Sequence, residues 1–126
     1  MILSSLFTSR TSEKGWGVFT NERIEKDTVI EISPVIVLTP SEKELIDKTV
    51  LYNYIFLWEN EYACMAMGNI PIYNHANPSN CEYFQDYENE TIYIKTIRRI
   101  EANEELTINY QGDFDSQEPV WFEVKF

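Results

Sequence analysis

The sequence predicts one compact domain that is mainly β-structure and contains one helix. Its 126 residues suffice for one domain and not comfortably for two, and its 44% hydrophobic and 14% aromatic content can supply a core. Short runs of β-branched and aromatic residues recur along the chain between turn-forming Gly, Asn and Pro residues. No repeat, linker or low-complexity segment divides residues 1–126, so we expect a single domain over this range.

The N-terminal part predicts an edge strand followed by a glycine-containing turn. Leu3, Leu6 and Phe7 supply the apolar positions of the strand, and Lys14-Gly15-Trp16-Gly17-Val18-Phe19 follows. Glycines on both sides of a tryptophan indicate unusual backbone dihedrals or close approach to another group. Taken alone, they favour a hairpin turn with a packed tryptophan over a ligand-binding loop.

The next segment carries the residues typical of strands. Thr28–Ile32 and Val35–Leu38 are both rich in β-branched side chains, and Pro34 lies between them. Proline cannot donate a ladder hydrogen bond, so we expect two short strands with a bend or a sheet edge at this position.

Residues 39–50 predict the helix. Thr39 can cap it, Pro40 suits its first position, and Glu42 completes a capping box. Its apolar side is expected to consist of Leu45, Ile46 and Val50.

The most aromatic stretch, residues 51–58, is expected to contribute core residues, above all Phe56 and Leu57. Its two tyrosines and its tryptophan need hydrogen-bond partners when buried, so part of the stretch is expected to line a cavity. Tyr62–Met67 then predicts a short buried strand that ends at Gly68 and Asn69.

Residues 72–81 form a polar stretch around His75, the single histidine of the chain. Asparagines at 74, 77 and 80 and the proline at 78 make a poor helix and a poor strand. The stretch alone is consistent with a surface loop or with a polar binding site.

The C-terminal third predicts further strands. Cys81–Gln85 and Thr91–Ile97 form a hairpin joined by a turn at 86–90, and Glu104–Tyr110 alternates before Gly112 breaks it. The tail after residue 113 ends in aromatic residues, so we expect it to pack back on the domain.

Composition limits the partners and the compartment. The net charge of −11 disfavours direct binding of nucleic acid and suits a basic peptide or protein tail, although many small acidic domains are merely soluble. No apolar run could span a membrane, and the N-terminus lacks the features of a signal peptide. Cys64 and Cys81 are not in a CxxC spacing and there is one histidine, so we expect free thiols in a cytoplasmic protein and no metal site.

Three motifs in order give the chain a resemblance to the SET domain of protein-lysine methyltransferases. Residues 15–19 (GWGVF) resemble its GxG motif, Tyr73-Asn74-His75 with Asn80 resembles its NHS…N motif, and residues 104–110 (EELTINY) resemble its EELTxDY motif. The match covers about residues 8–115. The resemblance implies a SET fold of several small sheets, one or two short helices and a knot-like crossing near the C-terminus. This crossing would bring residues 74, 75 and 110 together.

The resemblance also implies a reaction and a set of roles. The enzyme would transfer methyl groups from S-adenosylmethionine to the ε-amine of lysine in a basic protein, with a histone-like tail as the leading candidate. Tyr110 would be the catalytic residue. The cofactor-binding residues would be Lys14, Gly15, Trp16, Tyr73, Asn74 and His75. The substrate channel would be lined by Tyr54, Phe114 and Trp121, with the tail 113–126 packing over it.

Several positions depart from the family pattern and support an alternative function. Ala76 replaces the usual serine, Asn109 replaces the usual aspartate, and Asn103 replaces a glycine at a turn where asparagine also tolerates a positive φ. The alternative is a SET-fold module that binds peptide or cofactor with little or no turnover. In a eukaryotic host we expect the protein in the nucleus or on chromatin, and a homodimer remains open.

Overall fold

The computed structural model describes residues 1–110, which fold into two β-sheets with short helices between the strands. The strands are β1 Leu6–Arg10, β2 Trp16–Thr20, β3 Val29–Leu38, β4 Phe56–Leu57, β5 Ala63–Ala66, β6 Asn74–His75, β7 Cys81–Asp86, β8 Thr91–Thr96 and β9 Glu105–Ile108. The helix α1 spans Pro40–Ile46, and 3₁₀ turns span Val50–Tyr54, Glu59–Glu61 and Ile70–Ile72. The tail 113–126, with the channel residues Phe114 and Trp121 predicted for it, lies outside the described residues.

The two sheets place the sequence motifs on neighbouring strands. One sheet has the order β1-β2-β9-β6, in which β9 pairs antiparallel with β2 and parallel with β6. The other has the order β4-β5-β3-β8-β7 and is antiparallel throughout. The mainly β fold predicted from the sequence is therefore confirmed. The knot-like crossing stays a prediction.

The structure differs from the prediction at Pro34, where we expected a break between two strands. Residues 29–38 form one strand, β3, whose first part pairs with β8 and whose last part pairs with β5. Pro34 is the last residue paired with β8, and its carbonyl accepts a hydrogen bond from the Met67 N–H at 2.9 Å. The N–H that proline lacks would lie where β3 changes its pairing from β8 to β5. Its absence therefore does not interrupt the strand.

A β-bulge near the start of β3 changes which side chains face inward. The pairing passes from Val29–Lys95 to Glu31–Ile94, so Ile30 is an extra residue in β3. Ile30 and Glu31 are both fully buried, whereas Ile32 is 40% exposed. Glu31 is in phase with Ser33, which also faces inward, so the extra residue accounts for the burial of Ile30 beside it.

The start of helix α1 is confirmed, and its apolar side is not. The Thr39 hydroxyl accepts from the Glu42 N–H at 3.2 Å, and the Thr39 N–H donates to the Glu42 carboxylate at 2.9 Å, which is the predicted capping box. The helix buries none of its residues and ends at Ile46. Val50 is 68% exposed in the following 3₁₀ turn, so it is not part of a helical core face.

The predicted hairpin of β7 and β8 is confirmed and contributes to the core. Ile92 and Ile94 from β8 are fully buried together with Leu106 and Ile108 from β9. Phe56 is buried as expected, but Leu57 is 46% exposed because it faces outward on β4. None of the helices within residues 1–110 has the length and apolar character needed to cross a lipid bilayer.

Candidate active site

The polar stretch around His75 is ordered because it forms a short parallel strand. In β6, Asn74 pairs with Thr107 and His75 pairs with Ile108, and the Ala76 N–H donates to the Ile108 carbonyl at 3.1 Å. This pairing satisfies backbone groups that a loop would leave to water. The stretch is therefore part of a sheet, and one end of it lies beside the strand that leads to Tyr110.

Asn80 fixes the polar stretch to β9 a second time. Its side-chain oxygen accepts from the Thr107 N–H at 2.8 Å, and its side-chain nitrogen donates to the Glu105 carbonyl at 2.8 Å. Asn80 is 5% exposed, so both bonds lie away from water. An asparagine amide supplies the acceptor and the donor that two neighbouring backbone groups of one strand require.

The glycine turn lies against the same two strands. Gly15 has φ +76°, and a Cβ on Gly17 would lie 2.6 Å from Oε2 of Glu105 and 3.1 Å from Nδ2 of Asn74. The Asn74 amide donates to the Trp16 carbonyl at 3.0 Å and to the same Glu105 oxygen at 2.8 Å. Gly17 thus permits close contact between β2, β6 and β9.

Tyr110 is held at its N–H, its carbonyl and its hydroxyl. Its N–H donates to Nδ1 of His75 at 3.1 Å, and its carbonyl accepts from the Tyr83 hydroxyl at 3.2 Å. Its own hydroxyl donates to the Tyr73 carbonyl at 2.7 Å. The His75 and Tyr110 rings are 5.0 Å apart between centroids. Residues 73, 75 and 110 therefore meet in one place.

Burial keeps both rings of this pair neutral. Desolvation, with smaller contributions from the Glu105 and Tyr54 side chains, raises the pKa of Tyr110 well above its usual range. Desolvation, together with the positive charge of Lys14, lowers the pKa of His75 below its ordinary value of 6.5. At neutral pH the site therefore contains a phenol and an uncharged imidazole.

A cleft with aromatic walls reaches Tyr110. It encloses about 230 Å³ of empty space, including its open mouth. Its lining consists of Asn53, Tyr54, Ile55, Phe56, Ile70, Pro71, Tyr73 and Tyr110. The cavity predicted for the aromatic stretch 51–58 is present and leads to Tyr110.

A buried carboxylate beside this cleft was not predicted. Glu31 is fully buried and accepts from the Ser33 hydroxyl at 2.8 Å, the Asn69 N–H at 2.8 Å and the Tyr73 hydroxyl at 3.0 Å. Burial raises the pKa of Glu31, although these three hydrogen bonds oppose the rise. One sequence signal was present, a lone carboxylate within an apolar strand run, but the sequence pattern alone assigned it no role.

The remaining predicted residues lie around the site at different depths. Lys14 is half-buried and close enough to His75 to influence its pKa. Trp16 is 51% exposed, and the guanidinium of Arg10 lies 5.2 Å from its ring centroid. Tyr54 is 38% exposed at the cleft. A hydrogen bond joins Trp16 to Asn74, and Tyr54 lines the same cleft as Tyr110, while the roles of these residues stay predictions.

Comparisons with known proteins agree with this geometry. The family model described as the SET domain matches residues 15–111. A histone-lysine N-methyltransferase of Schizosaccharomyces pombe, specific for H3 lysine-37, is 38% identical over 124 residues, which cover 98% of this chain and 80% of that protein. Human histone-lysine N-methyltransferase 2D is 27% identical over 91% of this chain and 2% of its own length.

A solved structure has the same fold. It is a candidate histone methyltransferase of Plasmodium falciparum, with a TM-score of 0.65 and 23% identity, over 86% of this chain and 95% of that one. The family match covers most of the sequence, and the S. pombe relative aligns along nearly all of it. The chain therefore belongs to the SET domain family and is a protein-lysine methyltransferase.

Proposed function

We propose that the protein transfers methyl groups from S-adenosylmethionine to a lysine of a histone-like tail, with Tyr110 as the catalytic residue. The observation that carries this proposal is the position of Tyr110. Its backbone N–H is bonded to His75 of the NHS-like motif, and its side chain lines the aromatic cleft. One residue thus connects the motif expected to hold the cofactor with the cleft expected to hold the lysine.

The groups around the glycine turn fit S-adenosylmethionine. A Cβ on Gly15 would meet nothing within 4 Å, so there is free space beside the turn, and Lys14 supplies positive charge near His75. That charge suits the carboxylate of the amino-acid end. We propose that the cofactor is held by Lys14, Gly15, Trp16, Tyr73, Asn74 and His75. When bound, it supplies a methyl group activated by a sulfonium.

The cleft suits the lysine side chain. A lysine amine must be neutral to accept a methyl group, and its usual pKa is about 10.4. Aromatic walls such as Tyr54 remove water from the amine, which lowers its pKa. The Tyr110 hydroxyl donates its hydrogen to the Tyr73 carbonyl, so its lone pairs are available to orient the amine. Its raised pKa argues against a general-base role at neutral pH.

The residues predicted beyond position 110 complete the proposal. We propose that Phe114 and Trp121 also line the channel and that the tail 113–126 packs over it. The support is their sequence position, since Phe114 follows Tyr110 by four residues and the tail ends in aromatic residues.

The substrate proposal rests on the relatives and on charge. The S. pombe relative acts on histone H3 at lysine-37, and a chain with net charge −11 attracts basic tails. We therefore propose an H3 tail as the substrate and, in a eukaryotic host, a nuclear or chromatin location.

Tyr110→Phe tests this function. Incubation with an H3 peptide that includes lysine-37 should give methylated product by mass spectrometry. The substitution should lower kcat by about a hundredfold or more, because the phenol would no longer orient the amine. Tyr87→Phe is the matched control, since Tyr87 is exposed and bonds to Gln85 away from the cleft.

Two outcomes would count against the proposal. A Tyr110→Phe rate within a few-fold of wild type would remove the catalytic role of that residue. Cofactor binding by calorimetry without methylation of any basic protein would favour the alternative of a binding module.

A further inference from the structure

Glu31 belongs to a buried cluster whose construction requires several specific residues. Its Oε2 atom accepts from the Ser33 hydroxyl and the Asn69 N–H, both at 2.8 Å. A Cβ on Gly68 would lie 2.3 Å from that oxygen, so only glycine leaves room for the carboxylate there. Glu31 faces inward in phase with Ser33, on the side of β3 that Ile94 of β8 also faces. Apolar residues could fill such a space without the desolvation cost of a carboxylate.

The other oxygen of Glu31 is bonded to Tyr73. The Tyr73 hydroxyl donates to Oε1 of Glu31 at 3.0 Å, and the Tyr73 side chain is 1% exposed. The backbone carbonyl of the same residue accepts the Tyr110 hydroxyl at 2.7 Å. Tyr73 is thus anchored to β3 by its side chain while its carbonyl fixes the direction of the Tyr110 hydroxyl.

We propose that Glu31 and Tyr73 are positioning residues for methyl transfer, which set the orientation of the Tyr110 hydroxyl through the hydrogen bonds Glu31–Tyr73 and Tyr73–Tyr110. This inference rests on the proposed catalytic role of Tyr110. The Tyr73 carbonyl accepts the hydrogen bond of this hydroxyl, which leaves the phenolic lone pairs available to the lysine amine. A displacement of the carbonyl would turn that hydroxyl, and small errors in geometry at a reacting centre are costly in rate.

The purely structural alternative makes a different prediction. If the cluster only stabilised the fold, every substitution that weakens it would lower activity in proportion to the stability lost. If the cluster positions Tyr110, loss of the bond between Tyr73 and Glu31 should slow the reaction more than loss of the bond between Ser33 and Glu31. Ser33→Ala removes a bond to Oε2 and leaves the Tyr73–Oε1 bond in place.

The experiment is a double-mutant cycle with single-turnover rates at saturating cofactor and H3 peptide. Tyr73→Phe should lower the rate by on the order of tenfold to a hundredfold in the wild-type background. In the Tyr110→Phe background it should lower the rate by less than about twofold, because no hydroxyl remains to be positioned. The Tyr73 side chain is 1% exposed, so Tyr73 would contact the cofactor through its backbone, and at saturating cofactor the loss should appear in the single-turnover rate.

Ser33→Ala provides the matched control and decides the result if the Tyr110→Phe rates are too slow to measure. With both proteins folded by circular dichroism, Ser33→Ala should retain a near wild-type rate and Tyr73→Phe should not. Equal rates for these two variants, or an equal loss from Tyr73→Phe in both backgrounds, would overturn the inference.

Failure of the inference differs from failure of the proposed function. If wild type methylates the peptide and Tyr110→Phe does not, but Tyr73→Phe is as fast as wild type, only the positioning role falls. If the wild-type protein itself transfers no methyl group, both the proposed function and the inference are wrong.

Discussion

His75 is bonded through its ring to the backbone of Tyr110. Its Nδ1 atom accepts the Tyr110 N–H at 3.1 Å, which assigns the proton of the neutral ring to Nε2. Protonation of Nδ1 would turn this acceptor into a donor. The Nδ1–H and the Tyr110 N–H would then face each other with no acceptor between them. The imidazole is therefore suited to holding Tyr110 in place as an uncharged ring and not to acid–base chemistry.

We predict that the His75 imidazole titrates below pH 6.5 in the folded protein. Burial and the charge of Lys14 lower its pKa, so folding disfavours the protonated ring. The resulting stability is fully present above the unfolded pKa and is lost as the pH falls through the folded pKa. NMR can follow this titration without assignment, because the chain contains one histidine.

His75→Asn is the control for this pH dependence. An asparagine side-chain oxygen can accept the Tyr110 N–H but does not titrate in this range. Wild type should lose stability relative to His75→Asn as the pH falls below 6.5. A folded-state pKa at or above 6.5 would contradict the prediction.

At the scale of the elements, the site depends on the contact between β2, β6 and β9. Gly17 in β2 meets the side chains of Asn74 in β6 and Glu105 in β9, and these two are bonded to each other at 2.8 Å. The absence of a side chain at position 17 is what allows the glycine turn to lie beside the NHS-like motif.

Gly17→Ala should weaken cofactor binding by on the order of tenfold and leave the fold intact. The new Cβ would lie 2.6 Å from Glu105 Oε2, so the carboxylate must move and release the Asn74 amide. Asn74 would then no longer hold the Trp16 carbonyl in place. Calorimetric titration with S-adenosylmethionine measures the change.

Glu105→Ala supplies the matched background for this test. Glu105→Ala removes the Oε2 atom that the Cβ introduced at position 17 would clash with. Gly17→Ala should therefore reduce cofactor affinity much less in the Glu105→Ala background than in wild type. Equal costs in the two backgrounds would show that the clash with Glu105 is not the cause.

Elements specified by nearby residues could be predicted from the sequence. The start of helix α1 depends on Thr39, Pro40 and Glu42, which are neighbours in the chain, and the capping box is present as expected. Asn103 takes φ +68° at the turn before β9, as predicted for an asparagine in place of glycine. Such features need no information from distant segments.

The buried cluster at Glu31 could not be predicted because its partners are distant in sequence. Asn69 and Tyr73 lie 38 and 42 residues away from it. The bulge at Ile30, which buries Ile30 and Glu31 side by side, is set by the pairing of β3 with β8, which no local pattern of β3 reveals. For the same reason, the exposure of Val50 and Leu57 was not anticipated.

On the scale of the whole molecule, charge and motif order were the informative sequence properties. The meeting of His75 and Tyr110 followed from the order of three family motifs and is present in the structure. No single motif would have predicted it, since glycines, asparagines and a strand-end tyrosine each have ordinary structural explanations.

The net charge of −11 predicts that methylation of a basic tail weakens as salt is added. Long-range attraction accelerates encounter with a cationic peptide, and the screening length falls from about 10 Å at 0.1 M salt to about 3 Å at 1 M. Steady-state measurements should show kcat/KM falling by about tenfold over this range while kcat changes little.

A peptide in which the Arg and Lys residues flanking the target are replaced by Gln is the control. Its kcat/KM should be lower at low salt and nearly independent of added salt. A salt response as steep as that of the basic peptide would point to an effect on the enzyme itself.

The parallel pairing of β6 with β9 joins segments that are synthesised at different times. The hydrogen bond between His75 and the Tyr110 N–H joins residues 35 positions apart, and Tyr110 follows the last strand of the described chain. A nascent polypeptide that has not yet released this tyrosine from the ribosome can already form the β7–β8 hairpin, which is local. It contains no phenol at the end of the cleft, so the role proposed for Tyr110 implies that it transfers no methyl group until β9 has been translated and docked.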